Sequence, residues 1–211
     1  MIQDIITYFV NNGQTYLTYV GQHLSLSIEA LVLACVLALP MAYFSYEKPW
    51  VKQVSTLLTQ GLRVIPSLGI LFILIPFIGV GRLPALIALV ILGIPPILLQ
   101  TIIGFESVSD TLVETALGLG MTKWQLLTKV QLPLALPHLL NGIKLALVEL
   151  IASTTLATYI GAGGLGTLIF TGLGLYRYDL LLIGGGSVAL LSFVSMVVFD
   201  LAIKGVTHDE T

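Results

Sequence analysis

The feature that most restricts this chain is a series of apolar runs near 20 residues long, separated by short polar or glycine- and proline-rich breaks. They extend over Leu24 to Phe44, Leu62 to Val80, Pro84 to Ile103, Leu134 to Ile160 and Leu180 to Ile203. A helix needs about 20 such residues to cross the roughly 30 Å hydrocarbon core of a bilayer. In lipid, backbone polar groups have no water to bond, so runs of this kind resolve to helices. A soluble core does not account for them. Only 9% of the 211 residues are charged and 56% are hydrophobic, whereas a soluble domain carries about 25% charged residues. The expected fold is an all-α membrane protein with about five transmembrane helices.

The breaks divide the chain further. Residues 1–22 mix Ile5, Ile6, Phe9 and Val10 with Asn11, Asn12 and Gly13, a pattern too interrupted to span. They are expected to form an N-terminal interfacial segment, with tyrosines at headgroup level. Residues 23–205 are the transmembrane domain and 206–211 a polar tail. Pro66 interrupts the second run. Pro95 and Pro96 lie within the third, where a kink, static or pivoting, is expected and neighbours must satisfy the freed carbonyls. The glycine-rich stretch Gly161 to Gly166 breaks the helix after the fourth run. Residues 167–172 are then too short to cross. Gly184, Gly185 and Gly186 allow close helix approach in the last span.

Ionisable residues at membrane depth are costly and tend to face the bundle interior or water. Glu29, in the first span, either does so or reaches the interface. In the fourth span Lys144 is near enough to the end to snorkel, whereas Glu149 is deeper. The two are five apart and do not stack on one face. Each is expected to meet a partner on another helix or to line a water-filled path. The single cysteine, Cys35, cannot form an internal disulfide and reads as a small core residue. His138 is a lone imidazole near an interface, without metal-ligand company.

One longer polar stretch, 104–133, lies between the third and fourth spans. Thr111 and Glu114 have capping-box spacing, with Asp110 as a competing N-cap. The short helix that follows should stop at Gly118 and Gly120, because glycine tolerates the left-handed conformation that ends helices. Thr122 and Gln125 form a second capping box. Its helix, carrying Trp124, Leu127 and Val130, is expected to end at Pro133. The unit therefore reads as helix, glycine turn, helix: compact, stiff and exposed to water or to another protein.

Glu114, Ala116, Gly120, Val130, Leu132 and Pro133 match the pattern Glu-Ala-Ala, three residues, Gly, nine residues, Ile-x-Leu-Pro. Thr115 and Val130 depart from it without altering the spacing. The stretch resembles the cytoplasmic EAA loop of permeases in binding-protein-dependent ABC importers. Over about residues 22–205 the chain is similar to permeases for osmoprotectants, through Arg63 to Leu68, Ile75 to Gly81, Leu132 to Pro137, Thr154 to Gly166 and Ile169 to Leu173. Leu98-Leu99-Gln100-Thr101 stands where such permeases often have Arg and Asn before the Thr, which leaves the subgroup open.

The resemblance implies a type I ABC importer permease fold with a cytoplasmic coupling helix. It implies two permease subunits, identical or paralogous, facing each other across a pore. ATPase subunits bind below and an extracytoplasmic substrate-binding protein docks above. Glu114, Ala116, Gly120, Met121, Leu132 and Pro133 would couple to the ATPase, with Glu114 acting as a helix cap, as a partner for a basic residue, or both. Glu29, Lys144, Glu149, Tyr159, Gly163 and Gly164 are pore or gate candidates. The implied solutes are glycine betaine, carnitine and choline, or alternatively methionine, another amino acid or another betaine. Tyr159, Phe170, Tyr176 and Tyr178 form either an interfacial belt or a transient aromatic cage for a quaternary ammonium.

Charge placement supplies an orientation independent of that motif. With the 104–133 stretch inside a bacterial cell, Lys48, Lys52, Lys123, Lys129 and Lys204 fall inside and only Arg82 and Arg177 outside, as the positive-inside rule requires. The N-terminus is then outside and the C-terminus cytoplasmic. Met1 to Asp4 lacks the basic start of a signal peptide. A formal charge of −2 and the lack of a basic run give no basis for nucleic-acid binding. No Walker A pattern occurs, so nucleotide would be bound by the partner ATPase and this chain needs no cofactor. No HExxH, GxSxG or metal-spaced Cys or His cluster suggests an enzyme. An ion-coupled secondary carrier using Glu29, Lys144 and Glu149 is the alternative of a different class.

Overall fold

Two helices organise the packing: Arg82–Glu106 (α4) and Leu132–Ala157 (α7), which lie against each other along most of their length, with Ile2–Glu47 (α1) covering α4. The computed structural model describes residues 1–208, so positions 209–211 of the expected tail lie outside the described residues. Small side chains make these contacts close. Ala30, Ala34, Ala38 and Ala42 repeat every fourth residue, which puts them on one face of α1, and all four are fully buried. Gly93 on α4 meets that stripe: a Cβ there would lie 3.0 Å from the Cβ of Ala34. Gly142 on α7 meets α4, where a Cβ would lie 2.8 Å from the Cβ of Gln100 and 3.1 Å from the Pro96 carbonyl. Association in lipid depends on such close backbone approach rather than on hydrophobic burial.

The remaining described elements are Pro49–Val64 (α2), Ser67–Ile78 (α3), Asp110–Gly118 (α5), Lys123–Leu126 (α6), Gly166–Leu175 (α8) and Tyr178–His208 (α9). No strand occurs among the described residues. Four helical spans are long and apolar enough to cross a membrane: α1, α4, Lys123–Ile160 and most of α9. The pair α2–α3, bent by 95°, makes a fifth when counted as one. The bend has a local cause. Ile65 precedes Pro66, which pushes it out of the helical region, and its φ and ψ are −75° and 123°.

Residues 2–22 are helical on both sides of a kink at Asn12, whose φ and ψ are −127° and 18°, and the second part runs on into the first span. Tyr8 packs with Leu165, Leu168, Leu180 and Ile183 of the α8–α9 region, and the Tyr16 hydroxyl lies 2.8 Å from Ser187 Oγ. Apolar residues on both sides of Asn11 and Asn12 thus bury against α8 and α9, and this packing holds the helix together across two poor helix formers.

Pro133 differs from expectation. It does not end a helix but occupies the first turn of α7, and Lys123–Ile160 is one helical span. Proline lacks an N–H and its ring clashes with the carbonyl four residues back. The preceding turn, Leu127–Gln131, is wound as a π-helix, and the Leu132 N–H bonds to the Leu127 carbonyl five residues back. The wider turn makes room for the ring, so the helix continues through the proline.

Candidate functional site: the exposed helical elbow

The polar stretch folds as a helix, a glycine turn and a second helix that runs on into α7. Ser109 caps α5: its hydroxyl accepts the Leu112 N–H at 3.4 Å. This corrects the expected Thr111–Glu114 box. Helix α5 begins at Asp110, so Thr111 and Glu114 already lie inside the first turns, and the Thr115 hydroxyl donates back to the Thr111 carbonyl. The second box forms as expected. The Thr122 N–H donates to Gln125 Oε1 at 2.9 Å, and the Gln125 N–H to Thr122 Oγ1 at 3.3 Å.

Between the caps, α5 runs through Gly118, and Gly120 alone takes the left-handed turn, with φ of +83°. The Met121 N–H closes the turn on the Ala116 carbonyl at 3.2 Å. Of the expected coupling residues, Ala116 is buried and forms the seat of the turn, Met121 is half-buried, and Glu114, Gly120, Leu132 and Pro133 are exposed. Large apolar side chains also face outward: Leu119 is 77% exposed and Trp124 71%. An exposed carboxylate and exposed apolar groups thus share one short unit.

The elbow rests on the bundle at a mainly apolar cavity of about 200 Å³. Trp124, Leu127 and Leu132 line it together with Leu39 and Tyr43 of α1 and Phe105 of α4. Beside it the Gln131 amide donates to the Tyr46 hydroxyl at 3.2 Å, and the Tyr46 ring stacks on Phe105. Lys52 pairs with Glu106 at the end of α4. The elbow is therefore joined to α7 through the π turn, and to α1 and α4 through these side chains.

The other candidate residues do not converge on one site. Glu29 pairs with Arg82 at the start of α4, 2.7 Å away, and Arg82 also donates to Ser25 Oγ. Lys144 bonds Asp200 of α9 at 2.8 Å. Glu149 lines a separate cavity with Arg63. Gly163 and Gly164, with φ of +78° and +90°, form a loop clamped by α1: the Gly164 N–H donates to Gln22 Oε1 at 3.0 Å. The Thr158 hydroxyl donates to the Gly163 carbonyl at 2.8 Å. His23 is fully buried beneath this loop, with Nε2 2.9 Å from the Ile151 carbonyl. A carbonyl only accepts, so Nε2 carries the proton.

Tyr159 stacks obliquely on Phe170, with centroids 4.1 Å apart, while Tyr176 and Tyr178 line a different cavity with Asp4, Arg177 and Asp179. Sequence reasoning did not single out Arg63, Asp200, Gln22 or His23. For Asp200 and Arg63 the signal was present, a charge within an apolar run. For Gln22 and His23 only contacts between distant segments reveal the role.

Comparison with known proteins agrees with this architecture. The family of binding-protein-dependent transport system inner membrane components matches residues 30–208. The carnitine transport permease protein OpuCB of Listeria monocytogenes is 44% identical over 90% of this chain and 87% of its own length. The glycine betaine/carnitine/choline transport system permease protein OpuCB of Bacillus subtilis is 34% identical, over 98% and 95%. The osmoprotectant import permease protein OsmY of Salmonella typhimurium is 35% identical, over 86% and 78%. Among solved structures, the MetNI methionine ABC transporter in inward facing conformations gives a TM-score of 0.83 at 21% identity, covering 90% of this chain and 95% of that one. That last likeness concerns the fold, which is the type I ABC importer permease fold. With a multi-helix membrane bundle, an exposed elbow continuous with a spanning helix, and matches over most of its length, this chain belongs to the binding-protein-dependent transport system inner membrane component family, as a transport permease and not an enzyme.

Proposed function

We propose that this chain is the pore-forming subunit of an ATP-driven importer for osmoprotectant quaternary ammonium compounds such as glycine betaine, carnitine and choline. It works with a second permease subunit, two ATPase subunits and an extracytoplasmic binding protein. ATP is bound by the ATPase subunits. The observation that carries the reading is the exposed elbow from Ser109 to Gln131, which is continuous with α7 through the π turn. An ATPase closing beneath it moves α7 directly, and the pore exchanges inward for outward access. The named solutes of the relatives above support the solute class.

In this reading the elbow faces the cytoplasm, the N-terminus lies outside and the C-terminus inside. Lys52–Glu106 lies at the elbow end of α4 and Arg82–Glu29 at the opposite end. The ion-coupled alternative loses support because Glu29 and Lys144 are each neutralised by a partner, leaving Glu149 as the one acidic candidate outside an ion pair.

The test is uptake by liposomes containing the full importer. Glycine betaine should accumulate only with internal ATP and the binding protein, and should be displaced by carnitine or choline but not by methionine. Accumulation driven by a proton or sodium gradient without ATP would overturn the proposal.

A further inference from the structure

Half-way along α4, beside the α2–α3 bend, lies a cavity of about 200 Å³. Gly93, next to Leu92 of the lining and near the middle of α4, packs against Leu150 of α7. The polar lining is Arg63, Ser67, Glu149 and Ser153. Glu149 and Ser153 are four apart on α7 and share a face. Arg63 belongs to the last turn of α2 and Ser67 opens α3, so the bend at Ile65 and Pro66 brings both to the same wall. The rest of the lining is apolar, including Leu62, Ile65 and Leu92.

Arg63 and Glu149 line the same cavity, yet the two side chains form no ion pair among those joining the described residues. Arg63 is exposed and Glu149 half-buried, and a carboxylate outside any such ion pair, on a helix that spans the membrane, is costly to maintain without a role.

We infer that this cavity is a transit site for a small zwitterion, whose carboxylate meets Arg63 and whose quaternary ammonium faces Glu149. The inference rests on the permease reading above and adds the residues that select solute within the membrane. A carboxylate needs donors, which the planar guanidinium and the two serine hydroxyls supply. A quaternary ammonium has no N–H to donate, so it needs a nearby negative charge and apolar walls. The volume is below the roughly 300–1,000 Å³ of drug-sized sites, which restricts the ligand to amino-acid dimensions. No aromatic ring lines the cavity, so it lacks a cation–π trap. Weak retention suits a site that solute must leave as readily as it enters.

The site distinguishes solutes by the carboxylate. Glycine betaine carries one and choline does not, while both carry the quaternary ammonium. The experiment is ATP-driven uptake of each by the complete importer in liposomes, for wild type, R63Q, R63K and E149Q, with assembly of every complex checked on purification. The ratio of betaine to choline uptake, taken within each variant, is insensitive to the amount of active complex. R63Q should lower that ratio at least fivefold, R63K should hold it close to wild type, and E149Q should lower uptake of both solutes at least tenfold. An unchanged ratio in R63Q, or undiminished uptake in E149Q, overturns the transit site while leaving the importer reading intact. Failure of the wild type to take up either solute overturns that reading and the site with it.

Discussion

Gly118 and Gly120 are two residues apart and both exposed, and a Cβ built on either meets nothing within 4 Å. Steric arguments therefore cannot separate them, and backbone conformation does. Gly120 has φ of +83°, where an L side chain costs about 1–2 kcal/mol. Gly118 is the last residue of α5, where alanine is the better helix former by up to about 1 kcal/mol. If the turn at Gly120 is the docking geometry, the strain in Gly120→Ala subtracts from docking free energy. A loss of one to two kcal/mol is a factor of roughly 5–30. Gly118→Ala should dock as well as wild type or slightly better. The assay is titration of the purified ATPase subunit against each permease variant in lipid nanodiscs, with thermal unfolding of the bundle as a control that should not move. Equal effects from the two substitutions, or full affinity in Gly120→Ala, would refute the assignment of the turn as docking geometry.

Two further outcomes are expected. Ser109→Ala removes the observed cap of α5 and should destabilise the elbow by about 1 kcal/mol, read as faster amide exchange over residues 110–118. Thr111→Ala should leave exchange there nearly unchanged, and the reverse pattern would restore the Thr111 capping box. In a Cys35→Ala background, a cysteine placed between residues 5 and 15 should react with an impermeant reagent on intact cells, whereas one at Trp124 should not. Protection at the first position or reaction at the second means that the orientation is inverted.

The legible part of this protein was local. The lengths of the apolar runs, the Thr122 capping box and the turn at Gly120 each depend on residues within a few positions of one another, so neighbouring sequence carries the whole physical cause. Pro133 and Ser109 mark where local reasoning picked the wrong outcome among those open to it. A proline ends a helix or enters its first turn according to whether the preceding turn can widen. An N-cap falls to Ser109 or Thr111 according to where the chain leaves α4.

Charge partners were a different kind of question. Glu29 meets Arg82 across 53 positions, and Lys144 meets Asp200 across 56. Arg63 and Glu149 line one cavity beside the 95° bend between α2 and α3. The sequence by itself determined that this chain is a membrane bundle with an exposed elbow, because hydropathy, caps and glycine conformations act at short range. Only the tertiary structure decided which charges neutralise one another and which are left facing a cavity, because helix packing alone sets distances between side chains far apart in the chain.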